Sequence, residues 1–155
     1  MPMDKSRYPD NWRDISDRIR FERAAGKCEQ CGAPHDALIL RSIEDPARYV
    51  VYNPDTDYYH WPDGTALHDY LPEEYNAAEK FTRVILTVHH IGVEKPDGTP
   101  GDMHDKMDCR DENLIALCQR CHLLADLDEH IRKAQITRLQ KRDDAIAEAG
   151  QLRLF

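Results

Sequence analysis

Two cysteine pairs of the form Cys-x-x-Cys stand far apart in the chain, Cys28-Glu29-Gln30-Cys31 and Cys118-Gln119-Arg120-Cys121. Each pair can present two thiolates to one point, so the two together can close a tetrahedral zinc site. Histidines surround that potential site without being needed by it. His122 follows Cys121 directly, and a His89-His90 doublet lies between the pairs. Imidazole binds divalent metals and can take a proton near pH 7. The chemistry on offer is therefore a structural zinc beside a second, imidazole-based site.

Positioning such residues needs a small set of elements. Trp12, Ile15 and Ile19 recur at helical spacing and predict a helix over Asn11–Ala25, with Asp10 as N-cap and Gly26 as its stop. Arg13, Arg18, Arg20 and Arg23 decorate it, as a solvated face or one that tracks phosphates. Thr82–His90 is β-branched, partly alternating, and predicts a strand ending on the histidine doublet. Successive strand residues point to opposite sides, so one histidine can bind a metal while the other faces an attacking water. Gly92–Glu112 reads as a long polar loop, Asn113–Leu117 as a short strand, and the stretch from Gln119 to about Ala149 as a helix stopped by Gly150, with Leu152 and Phe155 as an apolar tip. Strand, loop, strand and histidine-bearing helix form a ββα-metal arrangement. The predicted class is α+β: that core, a four-cysteine zinc staple, an N-terminal helix and a long C-terminal helix.

The 155 residues suffice for one domain, expected to span residues 1–155. Five cysteines, four of them in matched pairs, fit an intracellular metal site better than a disulfide framework. Cys109 is left over. No apolar run approaches the ~20 residues that span a bilayer, and the first residues carry no secretory pattern, so neither membrane nor export is expected. The net charge of −8 is local. Residues 42–79 hold nine acids and one base, and the remainder holds 20 of each. An acidic insert at about 36–80, with a hairpin of Tyr49–Tyr52 and Tyr58–Trp61 about an Asn53-Pro54-Asp55-Thr56 turn, leaves the rest free to present a basic face. That insert is also a candidate protein-docking surface. His35, His60 and His68 lie in or beside it and read as surface or packing histidines.

Four stretches resemble the HNH endonuclease family in its branch with four zinc-binding cysteines, the small HNH proteins of bacteriophages and prophages in particular. They are Tyr8-Pro9-Asp10-Asn11-Trp12, the Cys28–Cys31 knuckle, Leu86-Thr87-Val88-His89-His90-Ile91, and Cys109 through Asn113 to His122. The resemblance implies that His89 and His122 hold a catalytic divalent metal, that His90 activates water, and that Asn113 orients the loop carrying the base. It implies DNA as the partner, phosphodiester hydrolysis as the reaction, 5′-phosphate and 3′-hydroxyl ends, and a bacterial cytoplasm as the setting. Relatives often carry aspartate where this chain has His89. An imidazole-rich site shifts preference among Mg²⁺, Mn²⁺, Ni²⁺ and Zn²⁺ toward the softer ions.

Asp126 lies one helical turn past His122 and is either a further ligand, a partner of a ligand, or an ordinary exposed carboxylate. His130 reads as a surface histidine, and Asp102, His104 and Asp105 as loop groups that either approach the metal or are solvated. Arg120, Arg132, Lys133 and Arg138, with Lys141 and Arg142, are the candidate phosphate contacts, weighed against a plain solvated helix face. The alternative function is a zinc-ribbon DNA- or protein-binding module of a phage, regulatory, packaging-associated or anti-defence, with weak or no cleavage.

Overall fold

The computed structural model describes residues 5–67, 71–76 and 81–151. His68 and the Leu152 and Phe155 tip lie outside the described residues. Packing divides the chain into two units, residues 1–121 and 122–155. The class is α+β, with small antiparallel sheets and several helices.

The first unit begins with α1 (Trp12–Asp17), which continues as a π-helical stretch, Arg18–Arg23. The Ala24 amide donates to the Ile19 carbonyl at 3.1 Å, the i→i+5 spacing of that wider helix. The N-cap position is Asn11 rather than Asp10, and no side-chain hydrogen bond caps the helix. The left-handed turn that ends it begins one residue earlier than expected, at Ala25 (φ +49°), and Gly26 (φ +70°) closes it by donating to the Arg20 carbonyl at 2.9 Å.

The acidic insert is larger than a hairpin. Five strands run in the order β4-β3-β2-β1-β5: β1 (Leu38–Arg41), β2 (Tyr49–Asn53), β3 (Tyr58–His60), β4 (Ala66–Leu67) and β5 (Thr82–Arg83). The expected β2–β3 hairpin is present, with Tyr52 opposite Tyr59. A short helix, α2 (Glu73–Asn76), places Tyr75 against Leu40 and Val50 in a small apolar cluster.

The single strand expected over Thr82–His90 is two. β5 pairs with β1 in the insert sheet, while β6 (Leu86–His90) pairs with β7 (Leu114–Cys118) in a separate ribbon. The break has a physical cause. Val84 leaves the strand to exchange backbone hydrogen bonds with Asp36 and Ala37, 2.7 and 2.9 Å. The Gln119 side chain then receives the Ile85 amide and donates to the Arg83 carbonyl.

The β6–β7 register is antiparallel from Leu86↔Cys118 to His90↔Leu114. From Cys118 the chain passes directly into α3 (Gln119–Ala125), which carries Cys121 and then His122. Two apolar clusters flank the ribbon. Cys28, Ala33, Ile39, Tyr49, Val84, Leu86 and Leu117 surround Cys118 and Cys121. Ile19, Leu114 and Ala116 anchor the N-terminal helix, with Trp12, Ile15, Val88 and Cys109 beside them.

The second unit holds the end of α3, a break at Asp126, and α4 (Leu127–Gln151). The helix runs through Gly150 rather than stopping there, since an isolated glycine weakens a helix without ending it. No helix among the described residues is long and apolar enough to cross a membrane.

Candidate metal centre and histidine site

The first knuckle is a tight hairpin. Lys27 bridges Pro34, the Cys28 amide donates to the Ala33 carbonyl at 2.9 Å, and the Gly32 amide donates to the Cys28 carbonyl at 2.8 Å. Gly32 has φ +74°, a conformation that a residue with Cβ rarely adopts. The second knuckle is the junction of β7 and α3. Glu29 sews the two together. Its amide donates to the Ala116 carbonyl, and its carboxylate accepts from the Ala116 amide and from Arg23.

All four cysteine Sγ atoms lie within 4.8 Å of one another, and Cys31 and Cys118 are 3.7 Å apart. A tetrahedron with metal–sulfur bonds of about 2.3 Å has edges of about 3.8 Å. None of the four is in a disulfide. Burial pushes the Cys121 thiol up to about 11, whereas hydrogen bonds with Cys118 and Cys31 pull the Cys28 thiol down, so the protein alone does not ionise all four. A bound cation would supply the missing charge, and the donor set fits a structural zinc. A further charge partner, Arg41, carries no signal in the local sequence. Its guanidinium lies 3.6 Å from the Cys118 Sγ and 4.0 Å from the Cys31 Sγ, while it also covers the Tyr49 ring. Removing that charge with Arg41→Met is expected to weaken zinc binding about tenfold, the scale of losing a group that supports metal ligands. Competition with a chromogenic chelator measures it.

His89 and His90 are both buried, at 8% and 1% exposed. Strand alternation sends them to opposite faces of the ribbon. His90 shares its face with Val88, Leu114 and Ala116. The Trp12 ring stacks on it at 5.5 Å and 22°, and Tyr8 lies 6.1 Å away. Its Nε2 is buried with no hydrogen-bond partner among the described residues. Burial pushes the His90 imidazole down to about 4, and the charges of Lys106 and His89 add to that shift. It is neutral at pH 7.

Asn113 is fully buried at the end of a 3-10 turn, Asp111–Asn113. Its Oδ1 accepts from the Gly92 and Val93 amides at 2.8 and 2.9 Å, and its Nδ2 donates to the Asp108 carbonyl at 2.9 Å. Its carbonyl accepts from the Ile91 amide. One side chain thus ties the residues following the histidine doublet to the far end of the long loop. Gly92 and Gly101 close the loop's base: a side chain on Gly101 would run into the Gly92 carbonyl.

Asn113→Ala leaves three backbone groups unpaired, the buried Asp108 carbonyl and the partly buried Gly92 and Val93 amides, at up to about 1–3 kcal/mol each. The expected result is a drop in Tm of about 10 °C or more, with early proteolysis within residues 92–112. Calorimetry and limited digestion check both.

The loop's charged residues are engaged within the loop. Asp105 pairs with Lys95 at 3.0 Å, Asp108 pairs with Arg110 at 2.8 Å, and Asp102 accepts from the His104 amide. Of the N-terminal arginines, three are clamps rather than a free face. Arg18 makes two 2.6 Å hydrogen bonds to Asp111. Arg20 bonds Asp17 and the Leu86 carbonyl. Arg23 reaches Glu29 and the carbonyls of Asp111 and Leu114. No local pattern announces the pairing of Arg18 with Asp111 across the chain. His35 is a packing histidine whose Nδ1 accepts from the Leu86 amide.

In the second unit, His122 Nε2 and Asp126 Oδ2 are 3.4 Å apart on successive helical turns. Arg132, Lys133 and Arg138 are exposed on α4, and Lys133 pairs with Glu129 at 2.6 Å. Arg120, on α3, is partly exposed.

Comparison with family models, with curated proteins and with solved structures returned no match.

Proposed function

We propose that this chain is an HNH-type endonuclease that hydrolyses phosphodiester bonds in DNA with a divalent metal, on a ββα-metal core. One observation carries the reading. The strand ending in His89-His90 is paired in full register with the strand that runs straight into the helix bearing Cys121 and His122. A zinc on the four cysteines then fixes the start of that helix, and His122 is the next residue after its last ligand.

His89 and His122 are the donors that the resemblance assigns to the catalytic metal, with Asp126, 3.4 Å from the His122 Nε2, as a further ligand or the partner of one. When bound, a divalent cation there stabilises charge on the phosphate and on the departing 3′ oxygen. His90 is the general base. It takes a proton from water as the water oxygen bonds to phosphorus and the bond from phosphorus to the 3′ oxygen breaks. The 3′ oxygen leaves as a hydroxyl by taking up a proton from solvent. Asn113 holds the backbone just past His90 and so keeps the base where the loop needs it. Arg120, Arg132, Lys133 and Arg138 are the phosphate contacts that position a duplex without reading its bases.

The test is nicking of supercoiled plasmid by protein stripped of weakly bound metal, with Mg²⁺, Mn²⁺, Ni²⁺ and Zn²⁺ added separately. The expected result is cleavage that depends on added metal. Absence of cleavage with every metal, alongside retained binding, sinks the reading.

The acidic insert favours a second reading, a zinc-bearing binding module. Its sheet gathers Tyr52, Tyr59 and Phe81 ring to ring beside a stretch of nine acids and one base, features of a surface for a basic protein partner.

A further inference from the structure

A histidine that works as a base is ordinarily oriented by a hydrogen bond to its other ring nitrogen. The Nε2 of His90 is buried and makes none among the described residues. The ring meets aromatic surface instead: Trp12 stacked at 22° and Tyr8 tilted beside it, with Tyr8 and Trp12 themselves 4.6 Å apart. Trp12 is well fixed for such a task. Its amide donates to the Pro9 carbonyl at 2.9 Å, starting the helix. Further along, Ile19 is buried on the same cluster as Leu114 and Ala116, and Arg18 is doubly bonded to Asp111.

We propose that Trp12, backed by Tyr8, is the positioning residue for the base: its indole face sets the plane of the His90 ring. The proposal rests on the reading of His90 as the base. Stacking suits this task because it fixes the plane of a ring over its whole face, whereas a single hydrogen bond leaves rotation about that bond. It also gives the Tyr8–Trp12 segment a role for which the zinc site and the metal donors have no use.

The experiment follows the ring itself as well as catalysis. Zinc-loaded protein is treated with diethylpyrocarbonate, and the His90 label is quantified by peptide mass spectrometry against exposed His104. Trp12→Phe keeps a flat ring and is expected to behave as wild type in labelling and nicking. Trp12→Leu keeps apolar bulk without the flat face. It is expected to raise His90 labelling about tenfold and lower kcat about 10- to 100-fold with KM for DNA little changed, the scale of loss for a slightly misplaced reacting group. Ile15→Ala loosens the same cluster without touching the imidazole, and its His90 label is expected to stay at the wild-type level. Equal labelling in Trp12→Leu and wild type overturns the proposal. So does equal exposure in Ile15→Ala and Trp12→Leu, which would mark a general loosening of the helix. If no protein nicks DNA, the labelling still decides whether Trp12 holds the ring, and the failure belongs to the nuclease reading alone.

Discussion

Stripping metal from the four-cysteine cluster, or replacing Cys118 with serine, is expected to unfold the first unit. This is the largest effect expected on stability, because the cysteines are not appended to a finished core. Cys28, Cys118 and Cys121 are buried within the main apolar cluster, in contact with residues from both sheets. Without a cation the same packing must hold four thiols at distances suited to metal bonds. Structural zinc contributes about 10–16 kcal/mol in small zinc domains, and a whole domain is stable by only about 5–15 kcal/mol. Loss of the metal therefore outweighs the remaining stability. Mass spectrometry under native conditions is expected to give one zinc per chain. Excess chelator is expected to abolish the cooperative thermal transition seen by circular dichroism, and added zinc to restore it. A Cys118→Ser protein that melts as wild type and carries no metal would show the four cysteines to be ordinary core thiols.

What the sequence makes visible here follows the range of the physics. The knuckles are local: two cysteines separated by two residues, with Gly32 where the backbone turns left-handed, carry their own geometry. The β2–β3 hairpin is local too, set by a turn between two runs of aromatic and β-branched residues. The junction at Val84 is not. It depends on Asp36 and Ala37 pairing with Val84 and on the Gln119 side chain capping the exposed backbone, contacts that no local pattern encodes. β4 is only two residues long, β1 has no turn that pairs it with a neighbour in sequence, and β5 reads as the start of the strand ending on His90, so the insert reads as a hairpin although it is a sheet. The arginine-bearing helix shows the same limit from the other side. Its charges look like a solvated face until Asp111, Glu29 and the Leu114 carbonyl come within reach. Of the candidate site, the donor types are visible from spacing, whereas the aromatic wall on His90 arises only when the N-terminal segment meets the end of β6.

Replacing His90 separates function from folding more sharply than any other change. On the proposal that His90 is the general base, it would contribute about 10²–10⁴-fold to the rate, so His90→Ala and His90→Leu are both expected to lose nicking by that factor in every metal. Stability is expected to move the other way in His90→Leu. The wild-type imidazole buries a nitrogen with no partner, and an unsatisfied buried polar group costs about 1–3 kcal/mol. Its stack with Trp12 returns about 0.5–1.5 kcal/mol. A leucine removes the unpartnered nitrogen, keeps most of the apolar volume beside Leu114 and Val88, and loses only the ring stacking. The Tm of His90→Leu is therefore expected to equal or exceed that of wild type while activity disappears. A purely structural histidine would behave in the opposite sense, with Tm falling and any activity falling only in step with the folded fraction. Plasmid nicking and thermal melts on the same zinc-loaded preparations distinguish the two. Nicking that survives in both variants, with zinc content and folding intact, would remove His90 from the chemistry and leave the cleavage to another group.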